Sequence, residues 1–252
     1  MWKEASRLLL IQDLTKRFNG QPVVDGFDLT APANRFTVLI GPSGCGKSTL
    51  FDLLMGIVAP DRGRLSWQGQ AVSDLRALAA YMQQRDLLLP WLTLQQNAAL
   101  PAELSGTAPS RIRSTVRQLL RTFSLEGFED HLPATVSGGM RQRCALARTL
   151  MFARDLVLLD EPLSALDAIT RRKLQSYLLL LQTEFKKSIL MVTHDVEEAL
   201  LLADDLLVLT AAPMRICERF RLAAPKPRDM AHPFFLGIKT KVLARLEKEA
   251  GR

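Results

Sequence analysis

Gly41-Pro42-Ser43-Gly44-Cys45-Gly46-Lys47-Ser48-Thr49 follows directly on the apolar run Phe36-Thr37-Val38-Leu39-Ile40. The nine residues satisfy G-x-x-x-x-G-K-[ST], and an apolar strand before them with a helix after them turns that pattern into a physical site. Glycines let the loop wrap an anion, and successive backbone N–H groups then point inward as a nest. A helix predicted to open near Lys47 adds the positive end of its dipole. Lys47 is expected to reach the β- and γ-phosphates of a nucleotide, and the Ser48 hydroxyl to ligate Mg²⁺. Gly41, Pro42, Ser43, Gly44, Cys45, Gly46, Lys47, Ser48 and Thr49 are therefore all candidate nucleotide-binding residues. Cys45 lies inside the loop, so thiol reagents are expected to block binding.

Downstream, Leu156-Val157-Leu158-Leu159-Asp160-Glu161-Pro162 reads as a buried strand ending in two carboxylates. Asp160 at its tip suits a Mg²⁺-bound water beside Ser48, and Glu161, on the other side of the pleat, can polarise an attacking water. Val136-Ser137-Gly138-Gly139-Met140-Arg141-Gln142-Arg143 opens a helix. Ser137 is a good N-cap, and the two glycines leave backbone donors for a second anion-binding helix start. One chain does not easily aim two helix N-termini at one γ-phosphate when a whole helical segment lies between them. A head-to-tail dimer, with Ser137 and Gly139 completing the partner's site, is one geometric solution.

The 252 residues can bury one good core, and a 48% apolar fraction excludes global disorder. No apolar stretch is long enough to cross a bilayer, and the N-terminal residues lack a signal-peptide pattern. Three cysteines (Cys45, Cys144, Cys217) form no spacing pattern and are expected to be reduced thiols. The formal charge of +7 is compatible with nucleic acid, an anionic surface or solvated basic faces. Arg113, Arg117 and Arg121 share one side of a predicted helix and read as a solvated face, and no nucleic-acid module accompanies them.

Apolar runs at 36–40, 156–159, 189–192 and 206–209 alternate with helical stretches, which predicts an α/β fold with a buried sheet. Their endpoints, Gly41, Asp160-Glu161, His194 and the turn near Thr210, should converge at the carboxyl ends of the strands. Residues 8–69, with turn signals at Asn19-Gly20 and Gln68-Gly69, predict flanking antiparallel strands. Between residues 85 and 134 helical signals and Pro90, Pro101, Pro109 and Pro133 indicate an inserted helical subdomain, about 85–150 with the Ser137 helix included. A loop-rich tail after Thr210 leads to a last helix from about Phe234, with Phe234, Ile238, Val242 and Leu246 on its core face.

Phosphate loop, S-G-G-x-x-Q-R element, D-E-P strand end, Ser164-Ala165-Leu166-Asp167 and Thr193-His194-Asp195 occur in the order and spacing of ATP-binding-cassette (ABC) ATPases, which the chain resembles up to about residue 210. The resemblance implies one nucleotide-binding domain over residues 1–252. Its fold would be a phosphate-loop RecA-like sheet core, an antiparallel β subdomain and an inserted α-helical subdomain. It also implies a sandwich dimer trapping two ATP molecules with Mg²⁺ between each phosphate loop and the opposing Ser137-Gly138-Gly139 element. Position by position, Phe18 resembles the aromatic that stacks on adenine. Gln84, chosen over Gln83 by its spacing to Arg85–Trp91, resembles the glutamine that senses Mg²⁺ and the γ-phosphate. His194 resembles the switch histidine beside Glu161, and Asp167 belongs to the loop coupling the two sites. Val136 and Met140 depart from the usual leucine and glutamine; the backbone donors remain.

Leu87-Leu88-Leu89-Pro90-Trp91-Leu92 is similar to importer ATPases of the nitrate, sulfonate and taurine group, which includes pyrimidine-precursor uptake systems. This likeness implies a peripheral subunit on the cytoplasmic face of a bacterial inner membrane. Its partners would be a second identical ATPase subunit, two transmembrane permease subunits and, indirectly, a solute-binding protein. An exporter or lipid-transport ATPase, or a soluble cassette ATPase, stays open as an alternative; the chain is too short between its motifs for the coiled coil of a chromosome-maintenance cassette.

Overall fold

The computed structural model describes residues 7–164 and 166–250. The four apolar runs form the centre of a six-stranded sheet in the order β10-β9-β3-β8-β7-β6. Strands β3 (Phe36–Ile40), β7 (Leu156–Asp160), β8 (Ser188–Thr193) and β9 (Asp205–Leu209) are buried at every residue. Continuous Val, Leu and Ile rather than alternation is what a parallel sheet covered on both faces requires. β6 (Ala79–Met82) pairs in parallel with β7, so the carboxyl ends of five parallel strands lie along one edge.

The tail departs from the loop-rich expectation. Ile216–Arg221 forms β10, antiparallel to β9. Its half-buried Ile-Cys-Glu-Arg-Phe-Arg sequence is typical of a charged edge strand and lacks the apolar run that marks the central ones.

A second sheet, in the order β2-β1-β4-β5, consists of β1 (Arg7–Phe18), β2 (Gln21–Pro32), β4 (Arg62–Trp67) and β5 (Gln70–Val72). Its hairpins turn at Asn19-Gly20 and Gln68-Gly69, all four residues having positive φ, as tight primed turns need. This sheet extends to Val72, past the expected limit, and β3 leaves it for the parallel sheet. Between the sheets, α1 (Lys47–Leu54) buries Leu50, Phe51, Leu53 and Leu54.

The inserted subdomain contains α2 (Leu94–Leu104), α3 (Pro109–Thr122), a 3₁₀ turn at Pro133–Thr135 and α4 (Gly138–Leu150). In α3, Ile112, Val116, Leu119 and Leu120 face inward, whereas Arg113, Arg117 and Arg121 are exposed, the solvated face read from their spacing. Thr93 and Gln96 form a capping box at the start of α2. The buried Asn97 side chain accepts from Leu89 N–H at 2.8 Å and donates to the Leu89, Leu92 and Thr93 carbonyls, which shapes the loop carrying Trp91.

Three further helices, α5 (Ala168–Thr183), α6 (Val196–Leu202) and α7 (Pro233–Ala250), cover the parallel sheet. In α7, Phe235 and Val242 are buried with Ile238 and Leu246 packed beside them, but Phe234 is exposed, so the core face begins one residue later than expected. Arg228 anchors the tail: its buried guanidinium donates to the carbonyls of Leu200, Ala203, Leu222 and Ala224 and sits 5.5 Å from the Phe235 ring centre. Among the described residues no helix is long and apolar enough to cross a membrane.

Candidate nucleotide-binding site

The loop between β3 and α1 turns on glycines that side chains could not replace. Gly46, the N-cap of α1, has φ 108, and a Cβ there would meet Val23 Cγ1 at 2.9 Å; one on Gly41 would meet Leu209 Cβ at 2.8 Å. Lys47 is 5% exposed, and its Nζ donates to the carbonyls of Gly41 (3.0 Å) and Pro42 (2.9 Å). Cys45 differs from its expected role. Its thiol is buried in the apolar cluster under the loop, and burial pushes its pKa up, which makes it a poor target for thiol reagents. Only the backbone of Cys45 remains for a nucleotide.

Beside the loop lies a cleft of ≈ 480 Å³ whose far walls are Phe18, Gln84 and Glu161. Phe18 is 43% exposed at the end of β1, which leaves its ring available for stacking and removes it from the core.

At the carboxyl edge of the sheet, Glu161 departs from β7 with φ 44 instead of continuing the pleat, a conformation costing about 1 kcal/mol that is common at functional sites. Glu161 Oε2 lies 3.0 Å from His194 Nδ1 and 3.3 Å from Gln84 Nε2, and Oε1 lies 3.7 Å from Lys47 Nζ. Residues separated by up to 147 positions in the chain thus meet at one carboxylate because β3, β6, β7 and β8 all end at this edge.

Asp160 is 3% exposed; its Oδ2 accepts from the Tyr81 hydroxyl at 3.4 Å, and its Oδ1 is buried without a hydrogen-bond partner. Burial pushes its pKa up, a Ser48 hydrogen bond opposes that, and the charge of Glu161 adds to the rise. A buried carboxylate oxygen with no donor, next to a hydroxyl, fits a divalent cation. Among the described residues no three His, Cys, Asp or Glu side chains cluster as a closed metal cage. One carboxylate beside the Ser48 hydroxyl suits Mg²⁺, which takes one or two carboxylates and completes its shell with substrate phosphates and water.

Ser137 caps α4, its hydroxyl accepting from Met140 N–H at 3.2 Å. Ser137, Gly138 and Gly139 do not line the phosphate cleft; Gly138 borders a neighbouring hollow with Asp86 and Arg141. Asp167 caps α5 through Ile169 and Thr170 N–H. Several contributors escaped the sequence reading. Tyr81 braces Asp160, and Arg141 and Arg148 of α4 clasp the segment after Gln84 through the Asp86 carboxylate (3.0 Å) and the Asp86 and Leu87 carbonyls. Only the order of the motifs could have pointed to them, because they recur in no local pattern.

A family model described as ABC transporter matches residues 24–164, more than half of the 252-residue chain. The chain is 40% identical over 225 residues to an aliphatic sulfonates import ATP-binding protein of Bacillus licheniformis, covering 89% of this chain and 87% of that protein. It is 36% identical over 247 residues to a taurine import ATP-binding protein of Escherichia coli O157:H7, covering 95% and 97%. A solved dimeric ATP-binding cassette in a post-hydrolysis state, bound to ADP and Pi, superposes with a TM-score of 0.76 at 25% identity, covering 86% of this chain and all of that one. With the phosphate loop and its facing carboxylates in place, these matches establish that the chain belongs to the ABC transporter family as an ATP-binding, ATP-hydrolysing protein.

Proposed function

We propose that the protein is the ATPase subunit of an importer for a small sulfonate-type solute. Two copies would work face to face beneath two permease subunits at the cytoplasmic side of a membrane, with a solute-binding protein delivering the cargo. The relatives named for aliphatic sulfonates and taurine favour this cargo class over nitrate or a pyrimidine precursor. The observation that carries the hydrolytic half of the reading is the Glu161 carboxylate held by His194, Gln84 and Lys47 together.

The chemistry follows from that arrangement. Backbone N–H groups of residues 41–49, the α1 dipole and Lys47 bind the β- and γ-phosphates, while Phe18 offers a face to the adenine. Glu161 takes the proton from the attacking water as the new P–O bond forms and the bond to the leaving ADP breaks. Glu161 Oε2 accepts from His194 Nδ1–H, and Nε2 would reach the γ-phosphate as a donor only in the doubly protonated imidazolium. Gln84 Nε2 donates to that same Oε2, and Lys47 faces the other carboxylate oxygen. When bound through Ser48, Asp160 and Gln84, Mg²⁺ would neutralise charge across the β- and γ-phosphates. Ser137 and Gly139 at the start of α4 would supply donors to the partner's nucleotide, which makes closure of the pair depend on ATP.

The strip at residues 87–92 fits the permease contact. Trp91 is 70% exposed and Leu87 is 49% exposed, while Leu88 is buried beneath them, so the loop presents apolar surface on a fixed base. Pull-down of the native complex to obtain its permeases and binding protein, followed by reconstitution and vesicle uptake of labelled taurine, tests the reading. ATP-dependent uptake that disappears with Lys47→Ala is expected; efflux, or uptake indifferent to Lys47→Ala, contradicts it.

A further inference from the structure

Behind the hydrolytic groups the first turn of α5 touches three loops at once. Its cap, Asp167, accepts from the Ile169 and Thr170 N–H groups. Thr170 packs on Gly139, where a Cβ would come within 2.4 Å of Thr170 Cγ2. Arg171 Nη2 donates to the Leu166 carbonyl at 3.1 Å, and the same guanidinium lies 3.7 Å from Glu198 Oε1 and 3.9 Å from Asp195 Oδ2.

Glu198 is 4% exposed in the first turn of α6. Its Oε2 accepts from the Thr193 hydroxyl at 2.9 Å, and that hydroxyl accepts in turn from Asp195 N–H at 3.1 Å. These bonds bracket His194 on both sides, so the imidazole's place opposite Glu161 is set from Glu198. A buried carboxylate facing an arginine contributes little net stability against an apolar pair, so the orientation it gives the Thr193–Asp195 turn is the role put to the test.

We propose that Arg171 and Glu198 are positioning residues of the hydrolytic site, joining the loop that carries His194 to the loop that carries Asp167 through the first turn of α5. The inference rests on the reading of Glu161 and His194 as hydrolytic groups. Neither residue lines the phosphate cleft; Glu198 acts through its hydrogen bond with Thr193, and Arg171 through its hydrogen bond to the Leu166 carbonyl and its ion-pair contacts with Glu198 and Asp195. A displacement at the Gly139–Thr170 contact therefore reaches His194 along one short helix turn, giving the Asp167 loop a physical link to the γ-phosphate histidine.

Arg171→Gln, Arg171→Lys, Glu198→Gln and the double variant Arg171→Gln/Glu198→Gln test this in the full chain. ATPase kcat and KM, and affinity for a fluorescent ATP analogue, are measured beside Glu161→Gln. Misplacing a catalytic group lowers turnover without loosening the substrate, so each Gln variant is expected to lose about tenfold in kcat. Analogue affinity should stay within about twofold, and the double variant should be no slower than the slower single. Arg171→Lys, which keeps the charge but not the fork, falls between. Unchanged kcat, affinity falling in step with kcat, or multiplicative losses in the double variant overturns the proposal. Should Arg171→Gln fail the thermal-unfolding control, the Arg171→Lys and Glu198→Gln cycle decides by the same criteria. Turnover surviving in Glu161→Gln would overturn the hydrolytic reading itself, whereas an inactive Glu161→Gln beside fully active Arg171 and Glu198 variants sinks only the link.

Discussion

Thr170 stands where a side chain on Gly139 would have to go: a Cβ there would lie 2.4 Å from Thr170 Cγ2, well inside contact distance. Gly139 is thus required by the approach of α5 and not by an unusual φ. Gly139→Ala should destabilise the fold by about 1–3 kcal/mol and displace the start of α4. Thr170→Ser removes the offending methyl while leaving the remaining Thr170 atoms at 3.4 Å or more, so the double variant should recover stability and ATPase activity. A single variant that melts like the parent, or a double variant no better than the single, contradicts this account.

Glu161→Gln keeps the size of the side chain but cannot take a proton. Steady-state phosphate release is expected to fall by about 10²–10⁴-fold with ATP binding retained. Light scattering or gel filtration with ATP should then reveal a trapped pair of subunits. Ordinary turnover in this variant removes Glu161 from the role of base.

Trp91 is solvent-facing on a loop whose shape Asn97 maintains. Trp91→Ala should change stability by less than about 0.5 kcal/mol and leave ATP hydrolysis by the isolated subunit intact. Co-purification with the permeases is expected to weaken. Parallel loss of melting temperature and ATPase would place the indole in the core instead.

Burial raises the Glu198 carboxyl to about 7; the Asp195 charge adds to the rise, and the Thr193 hydroxyl, Arg171 and His194 oppose it. From α7, Lys239 pairs with the neighbouring Glu197. The folded state therefore binds the Glu198 proton more tightly than the unfolded state, whose carboxyl titrates near 4.5. That contribution to stability is full below pH 4.5 and is lost as pH rises through 7. Glu198→Gln, which cannot ionise, should gain on the parent by about 3 kcal/mol between pH 5 and pH 8 in urea unfolding. Parallel stability curves for the two proteins across that range would refute the assignment.

Much of this site was legible because its parts are short and local. A phosphate loop is nine consecutive residues, and the strand ends at Ile40, Asp160 and Thr193 announce themselves as apolar runs that stop at polar chemistry. What escaped were features whose logic is tertiary. β10 is an edge strand, so Glu218, Arg219 and Arg221 dilute its β signal. The core face of α7 was placed on Phe234 because adjacent phenylalanines differ by about 100° around a helix and the period alone does not choose between them. The inward turn of Cys45 depends on Gly41 lacking a side chain, since a Cβ there would meet Cys45 Sγ at 3.0 Å. Arg171 and Glu198 sit in separate helices, and only the folded chain brings them together.

Arg228 gives the tail a meaning beyond mere length. Its guanidinium answers the carbonyls of Leu200 and Ala203 at the exit of α6 and of Leu222 beyond β10. A chain clipped ahead of it would leave those oxygens facing hydrocarbon, each costing about 1–3 kcal/mol unless water entered. The tail beyond Thr210 in this sense braces the exit of α6, and proteolysis there would be felt at the opposite end of that helix, next to His194.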